Sequence, residues 1–141
     1  MKRILVLVFM LLFLGSFVSA EYATAADRFV NNKDGTVTDT QTGLMWADHD
    51  NGSPVTWYIA KNYCEGYSGG GKSGWRMPTI DELRQLYNSG AYGSVIRKTG
   101  ESVCASETKG SECAYFNFYR GYSNWYSVWY AFQALPVRSG K

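Results

Sequence analysis

The sequence predicts one α+β domain in which two short helices are combined with strands and long loops. Two segments carry apolar residues three or four positions apart, which is the period of a helix with one buried face. Elsewhere, apolar and polar residues alternate as they do in strands. The 141-residue chain contains 15 glycines but only 3 prolines, and 16% of its residues are aromatic. This composition is typical of a folded, loop-rich domain.

The N-terminal residues have the composition of a secretory signal peptide. Lys2 and Arg3 precede a nearly unbroken apolar run over residues 4–17, and small residues lead to Ala20. This order predicts export with cleavage near Ala20, and Ala26 is a second possible cleavage position. A membrane anchor is the alternative, but the apolar run is shorter than the roughly 20 residues that span a bilayer. We therefore expect a secreted or periplasmic protein that does not span the membrane after signal removal.

Three segments follow from this assignment: a signal peptide over residues 1–20, a leader over residues 21–27 and one domain over residues 28–141. Without Lys2 and Arg3, the chain has 12 basic and 12 acidic side chains. A chain so close to neutral has no excess of basic residues with which to attract nucleic acids or anionic lipids. We therefore expect no nucleic-acid partner.

The domain is predicted to begin with a β-hairpin. Residues 28–30 and 36–39 have strand character on either side of a turn that contains Asp34 and Gly35. A short apolar strand is expected over residues 44–46.

Both predicted helices begin after a threonine. Thr56 is placed to cap the first helix, which ends at Gly66. Thr79 and Glu82 have the spacing of a capping box at the start of the second helix, and Gly90 ends it.

A glycine-rich segment over residues 68–74 connects the two helices. Gly71, Lys72 and Ser73 resemble the end of a nucleotide-binding loop, but the required earlier glycine is misplaced and a helix precedes the segment instead of a strand. A connector is therefore the preferred interpretation. Beyond the second helix, alternation over residues 103–107, 114–119 and 126–137 predicts strands separated by loops.

The three cysteines predict one disulfide in an oxidising compartment. Cys104 and Cys113 flank a turn, so we expect a cross-strand bridge between them, which leaves Cys64 as a single buried thiol. A nucleophilic Cys64 is the alternative, but it needs a nearby base and the single histidine, His49, lies in a polar turn.

The densest aromatic segment of the chain covers residues 115–130. If it is a strand, its side chains alternate and half of the rings face inward. Tyrosine and tryptophan rings beside polar groups suit stacking on sugar rings or anchoring of a protein partner. The alternative is a two-sided core covered by loops. The predicted ligand-binding residues are Tyr115, Asn117, Tyr119, Arg120, Tyr122 and Trp125.

The chain has one weak indication of a calcium site. Asp48, Asp50 and Asn51 precede Gly52 in the manner of an oxygen-ligand loop, but Ile59 stands where a bidentate glutamate should close it. A solvated turn is the preferred interpretation, so no metal or cofactor is expected.

Several ordered motifs carry a family resemblance that extends over residues 28–141. Trp57 with Ala60, Tyr63 and Cys64 is one of them. Two of the motifs below have companions further along the chain: Glu82-Leu83 and Leu86 follow Thr79, and Gly140 follows Arg138. The others are Arg28-Phe29-Val30, Asp34-Gly35-Thr36-Val37-Thr38-Asp39, Thr42-Gly43-Leu44-Met45-Trp46, Gly74-Trp75-Arg76-Met77-Pro78-Thr79 and Leu135-Pro136-Val137-Arg138. With these motifs the chain resembles the Lcl C-terminal domain family, whose fold is similar to that of C-type lectin domains.

The resemblance implies a C-type lectin-like fold with two helices, a twisted antiparallel sheet, chain ends that meet in one hairpin, and long loops that form a binding face. Arg76 and Arg138 are expected to hold carboxylates or carbonyls beneath the loops. The three prolines, Pro54, Pro78 and Pro136, do not stand in the motifs through which such lectins bind sugar with calcium.

These observations predict an exported, non-catalytic binding module that recognises a glycan or an extracellular or surface protein through its aromatic loop face. A structural subunit of a cell-surface assembly is the first alternative, because the same aromatics could form subunit contacts. An enzyme of lectin-like fold is a weaker alternative, because no nucleophile and base are spaced to form a recognisable catalytic set.

Overall fold

The computed structural model describes residues 24–141. The predicted signal peptide, and the predicted leader up to residue 23, lie outside this range. No helix in the described range has the length and apolar character required to cross a membrane. The regular elements in this range are α1 Ala25–Arg28, β1 Phe29–Asn31, β2 Thr36–Asp39, β3 Leu44–Ala47, α2 Trp57–Glu65, α3 Ile80–Ser89, β4 Ser102–Lys109, β5 Glu112–Asn117, β6 Tyr122–Ser127 and β7 Val137–Ser139.

The strands form two antiparallel sheets, with the orders β1-β2-β3-β7 and β4-β5-β6. The α+β class is therefore confirmed, but two sheets replace the single predicted one. The expected pairing of the chain ends in one hairpin is wrong, because β7 pairs with β3 and lies at the opposite edge from β1. Gly140 permits a close approach at the end of this pairing: its N–H donates to the Gly43 carbonyl at 2.9 Å, where a Cβ atom would clash.

The predicted first hairpin is present and is held by a partly buried ion pair. Phe29 pairs with Asp39 across β1 and β2. The Arg28 guanidinium donates two hydrogen bonds of 2.6 Å to the Asp39 carboxylate, which also accepts from the Gln41 N–H and the Thr42 hydroxyl. Arg28 itself ends the short helix α1, which occupies the end of the predicted leader.

The two sheets share one core with α3. Val37 and Trp46 from the first sheet, Leu83 and Leu86 from α3, and Phe116 from the second sheet are almost completely buried in it. A smaller cluster lies between α2 and the opposite face of β4, and it contains Ala60, Cys64, Met77, Cys104 and Ala134. The second sheet is therefore covered on both faces along β4 and β5.

The start of α3 has the predicted capping box. The Thr79 hydroxyl accepts from the Glu82 N–H at 3.1 Å, and the Thr79 N–H donates to Glu82 at 2.9 Å. Arg76 donates to both oxygens of the Glu82 carboxylate at 2.7 and 2.8 Å. The predicted role of Arg76 is confirmed, as is that of Arg138, which donates to the Ser73 carbonyl at 2.8 Å. At the start of α2, by contrast, the Thr56 side chain makes no capping hydrogen bond.

The predicted strand over residues 126–137 is wrong, because residues 128–136 form an irregular connection between β6 and β7. The backbone of this connection bonds to separate parts of the chain in turn. Val128 donates to the Ser111 carbonyl, Phe132 exchanges hydrogen bonds with Val55, and Gln133 donates to Ser102. Because these partners lie in three separate segments, the connection does not continue the ladder of β6.

The loop over residues 48–56 joins these distant segments. The Asp50 carboxylate, in a residue only 1% exposed, accepts from the Tyr92 hydroxyl at 2.7 Å and from the Gly52 N–H at 2.9 Å. It also accepts from the N–H and the hydroxyl of Thr99, both at 2.6 Å. On the other side of the loop, the Asn51 side chain accepts from the Ala134 N–H at 2.9 Å, and the Asn51 N–H donates to Ala134 at 3.0 Å.

Replacement of Asp50 by Asn is expected to lower the free energy of unfolding by about 2–3 kcal/mol. The NH₂ group of the new amide replaces one of the two carboxylate oxygens. In one orientation it faces the Thr99 N–H, and in the other it faces the Gly52 N–H. In either case one buried donor loses its acceptor. Urea unfolding measures the change. Asp81→Asn is the control, because the Asp81 side chain is exposed, and its effect should stay below about 1 kcal/mol. Equal effects of both substitutions would contradict the role of Asp50.

The free energy of unfolding is also expected to fall as the protein is acidified. Burial alone would raise the pKa of Asp39, Asp50 and Glu82, but hydrogen bonds to each carboxylate outweigh it and lower the pKa. Such groups add stability above their unfolded pKa of roughly 4 and lose it as the pH falls through the folded pKa. Urea unfolding between pH 7 and pH 3 should show this loss, and a flat profile would contradict it.

Candidate functional site

The six predicted ligand-binding residues are divided between the two faces of the second sheet and the turn that joins β5 to β6. Ala114 and Phe116 of β5 face α3, so by strand alternation Tyr115 and Asn117 face the other way. The register places Asn117 opposite Tyr122 and Ala114 opposite Trp125. The side chains of Tyr115, Asn117 and Tyr122 therefore share the face away from α3, which we call the outer face. Trp125 lies on the other face.

Trp125 is half-buried and packs against the main core. The Lys109 ammonium group lies 5.1 Å from the centroid of its ring. These contacts with the core and with Lys109 support the sheet. They lie on the face opposite the outer face, so Trp125 is not part of the outer face.

Tyr115 is on the outer face but is only 5% exposed. Its ring stacks on Phe132 with centroids 4.4 Å apart and contacts Tyr126 at 5.3 Å. Burial, together with a hydrogen bond to Tyr122, raises the pKa of Tyr115 to about 12. Tyr115 therefore supports the exposed rings above it and keeps its own proton at neutral pH.

The remaining predicted residues form the turn between β5 and β6. Tyr119 and Arg120 are exposed, and the Arg120 guanidinium lies 6.0 Å from the Tyr119 ring centroid. The Asn117 side chain accepts from the N–H groups of both residues, at 2.9 and 2.8 Å. Asn117 thus fixes the shape of this turn.

The structure adds four exposed aromatic residues that the sequence analysis did not select. Tyr126 continues the outer face of β6, and Tyr130 contacts it with centroids 5.0 Å apart. Trp129, the most exposed of these rings at 73%, contacts Tyr58 of α2 at 5.9 Å. We call the five exposed rings Tyr58, Tyr122, Tyr126, Trp129 and Tyr130 the aromatic surface.

Part of this surface could have been found from the sequence. Tyr122 and Tyr126 are four residues apart on one strand, so they share a face. Tyr58 lies off the apolar stripe of α2 that Ala60 and Cys64 mark, which predicts an exposed ring. Trp129 and Tyr130 had no such signal, because they lie in the irregular connection that was predicted as strand.

Two hydrogen bonds of Trp57 attach Tyr58 to the part of the aromatic surface that lies on β6 and the connection after it. The Trp57 N–H, at the start of α2, donates to the Val128 carbonyl at 3.2 Å, directly before Trp129. The Trp57 indole N–H donates to the Ala105 carbonyl of β4 at 2.9 Å. These bonds attach α2, and with it Tyr58, to the sheet that carries Tyr122 and Tyr126.

The aromatic surface is uncharged over a long stretch. Every side chain from Tyr122 to Tyr130 is neutral, and the polar groups there are hydroxyls and the Asn124 amide. The Asn124 side-chain carbonyl accepts from the Trp125 N–H at 2.8 Å, which leaves its NH₂ group on the outer face. The surface combines flat apolar rings with neutral hydrogen-bonding groups.

The acidic loop that gave the weak calcium indication is occupied by protein donors. All four bonds to the Asp50 carboxylate come from protein groups, Asp48 contacts the His49 ring, and Asn51 bonds to Ala134. Asp50 is buried, so the interpretation of this loop as a solvated turn is wrong for that residue. Across residues 24–141, no three His, Cys, Asp or Glu side chains are grouped to hold a metal ion.

The predicted disulfide is wrong, because Cys64, Cys104 and Cys113 are all free and buried. The register explains why: Cys104 pairs with Tyr115 and Cys113 with Thr108, and a bulge interrupts the ladder between these pairs. Burial raises the pKa of Cys64 and raises that of Cys104 to about 12. These thiols are protonated and enclosed, which makes them poor nucleophiles.

Comparison with known families identifies the chain. The family model described as the Lcl C-terminal domain matches residues 35–138. Because this match covers most of the chain, the chain belongs to that family, as its motifs predicted. A search of curated proteins found no match.

Alkylation of the three cysteines should depend on unfolding and not on reduction. We expect no labelling of the native protein and three labels per chain in denaturant without a reductant, because each thiol is free but buried. Intact mass spectrometry counts the labels. A single label in denaturant would show that two cysteines are bridged and would contradict the structure.

Proposed function

We propose that this member of the Lcl C-terminal domain family is an exported, non-catalytic binding module that recognises a glycan through the aromatic surface. The observation that carries the proposal is the group of five exposed tyrosine and tryptophan rings on the outer face, on the connection that follows it and at the start of α2. Two pairs of these exposed rings are in contact, Tyr58 with Trp129 and Tyr126 with Tyr130. Exposed apolar groups that cluster on a surface mark interaction sites.

The chemistry of the surface favours a sugar. The C–H faces of a pyranose ring pack on aromatic rings, while its hydroxyls need neutral donors and acceptors at the rim. Tyrosine hydroxyls and the Asn124 amide supply both. Because residues 122–130 carry no charge, a neutral oligosaccharide is the best match.

The architecture supports a lectin-like fold, because lectin-like domains combine short helices, antiparallel sheets and long loops. Short helices and two antiparallel sheets are joined by long irregular segments. Family membership and this arrangement are consistent with a C-type lectin-like fold. The sequence of residues 1–20 supports export to the periplasm or the medium, where glycans are available.

A structural subunit of a surface assembly is the second candidate, and it rests on β6. β6 is an edge strand of its sheet, and an edge strand can pair with a strand of another chain. The hydrogen bond from the Trp125 N–H to Asn124 occupies one backbone donor of β6, which weakens such pairing. Sedimentation of the mature domain separates the candidates, since an assembly subunit would self-associate.

Replacement of Trp129 by Ala is expected to weaken binding of a neutral hexasaccharide about tenfold, equal to about 1.4 kcal/mol. The exposed ring supplies stacking area but little core packing, so the melting temperature should stay nearly constant. Calorimetric titration with cellohexaose, chitohexaose and a heparin-derived hexasaccharide measures the affinities. Trp129→Phe should retain most of the binding, because a ring remains.

Ile59→Ala is the matched control, because Ile59 is exposed beside Tyr58 on α2 but carries no ring. It should leave the affinity unchanged. Absence of binding by all three oligosaccharides, or full affinity in Trp129→Ala, would contradict the proposal. Binding of the heparin fragment alone would assign recognition to charge and not to ring stacking.

A further inference from the structure

An open groove of about 740 Å³ lies beside the glycine-rich turn. One wall is the C-terminal half of α2, with Asn62 and Tyr63. The opposite wall is the turn of the first hairpin, with Asp34, and the floor is formed by Tyr67 and the glycines that follow it. Its volume is in the range of small-molecule sites. The aromatic surface includes the other end of α2, so the groove is a separate feature.

Two aromatic rings line the groove and one is rigidly held. The Tyr67 hydroxyl donates to the Gly35 carbonyl at 2.6 Å, and its ring meets Trp75 edge to face at 4.7 Å. The Tyr63 ring lies 6.4 Å from that of Tyr67. Because both rings line the groove, one small ligand can contact them together.

The electrostatic character of the groove is negative. Asp34 is the one charged residue among its lining residues. One carboxylate oxygen of Asp34 accepts from the N–H and the hydroxyl of Thr36, at 3.0 and 2.5 Å. Within residues 24–141 no protein group donates to the other oxygen, Oδ2. The C-terminus of α2 adds the negative end of a helix dipole.

The glycine-rich turn keeps this oxygen accessible. Gly70 has φ of +65°, and a Cβ atom there would stand 3.0 Å from Asp34 Oδ2 and 3.2 Å from Thr36 Cγ2. Its N–H donates to the Asp34 carbonyl at 3.0 Å, which fixes the turn against the hairpin. Glycine adopts this conformation without strain and leaves the space beside Oδ2 open.

We infer that the groove binds an organic ammonium group, held over the rings of Tyr63 and Tyr67 and neutralised by Asp34. Aromatic faces attract such cations, which are more weakly hydrated than metal ions and so lose less on entering a partly apolar groove. Neither a phosphate nor a carboxylate fits a groove whose single charge is negative. This site is independent of glycan binding at the aromatic surface.

Choline and its neutral isostere 3,3-dimethylbutanol provide the test. The two molecules have nearly the same shape, so a difference in affinity reports the charge. Proton–nitrogen NMR spectra of the mature domain are recorded during titration with each, with sodium chloride as the salt control. Choline should shift the Gly70 amide and the Trp75 indole signals with a dissociation constant of roughly 1 mM, and the alcohol should bind at least about fivefold more weakly.

Substitutions then assign the site. Asp34→Asn keeps the oxygen that Thr36 needs and removes the charge, so choline binding should weaken at least about fivefold. Asp81→Asn removes an exposed carboxylate on α3 and should have no effect. Tyr63→Phe should retain binding, whereas Tyr63→Leu should lose it. Spectra of the free variants verify that each is folded.

Equal affinity for choline and the alcohol would overturn the inference, as would an unchanged affinity in folded Asp34→Asn. Displacement of choline by calcium chloride at equal ionic strength would assign the groove to a metal ion and overturn it as well. Co-sedimentation with phosphatidylcholine vesicles distinguishes a lipid headgroup, which would carry the domain into the pellet, from a free molecule, which would not. Both results support an ammonium ligand, and neither depends on the glycan experiment.

Discussion

The buried carboxylate of Asp50 is the constraint on which the irregular half of the molecule depends. It binds Tyr92 and Thr99 from the segment that follows α3, while the neighbouring Asn51 binds Ala134 in the connection between β6 and β7. One short loop therefore holds two long segments that have no regular structure of their own. The Asp50 carboxylate can stay ionised at 1% exposure because both of its oxygens accept two hydrogen bonds from protein donors.

This arrangement explains how a small domain presents exposed rings without losing its shape. Val128 fixes the connection that carries Trp129 and Tyr130 to the β4–β5 turn and to the start of α2. Phe132 and Ala134 fix it to the loop over residues 48–56. The rings themselves need no core contacts to stay in place. A preformed surface loses less conformational entropy on binding than a mobile loop would, which favours recognition of weakly binding ligands such as sugars.

The sequence predicted the elements whose signals are local. The first hairpin, the α3 capping box and the Arg76 contact all follow from residues close in the chain. The sequence could not place the β3–β7 pairing or the partners of Asp50, because these depend on contacts between residues more than forty positions apart. It also could not place the bulge in β4 that sets Cys104 and Cys113 out of register. The sequence predicts Trp125 as a site residue because the sequence alone does not show which residue of β5 pairs with it. Once Ala114 is known to be that partner, strand alternation places Trp125 on the opposite face.

Hydrogen exchange at the amides that the loop over residues 48–56 binds tests this account most directly. The N–H groups of Asn51, Thr99 and Ala134 lie outside regular strands, yet each donates to a carbonyl or carboxylate in another segment. If the loop holds the irregular segments rigidly, their exchange measured by NMR should be slow, within about tenfold of the β5 amides. Exchange as fast as that of exposed turns would contradict the account.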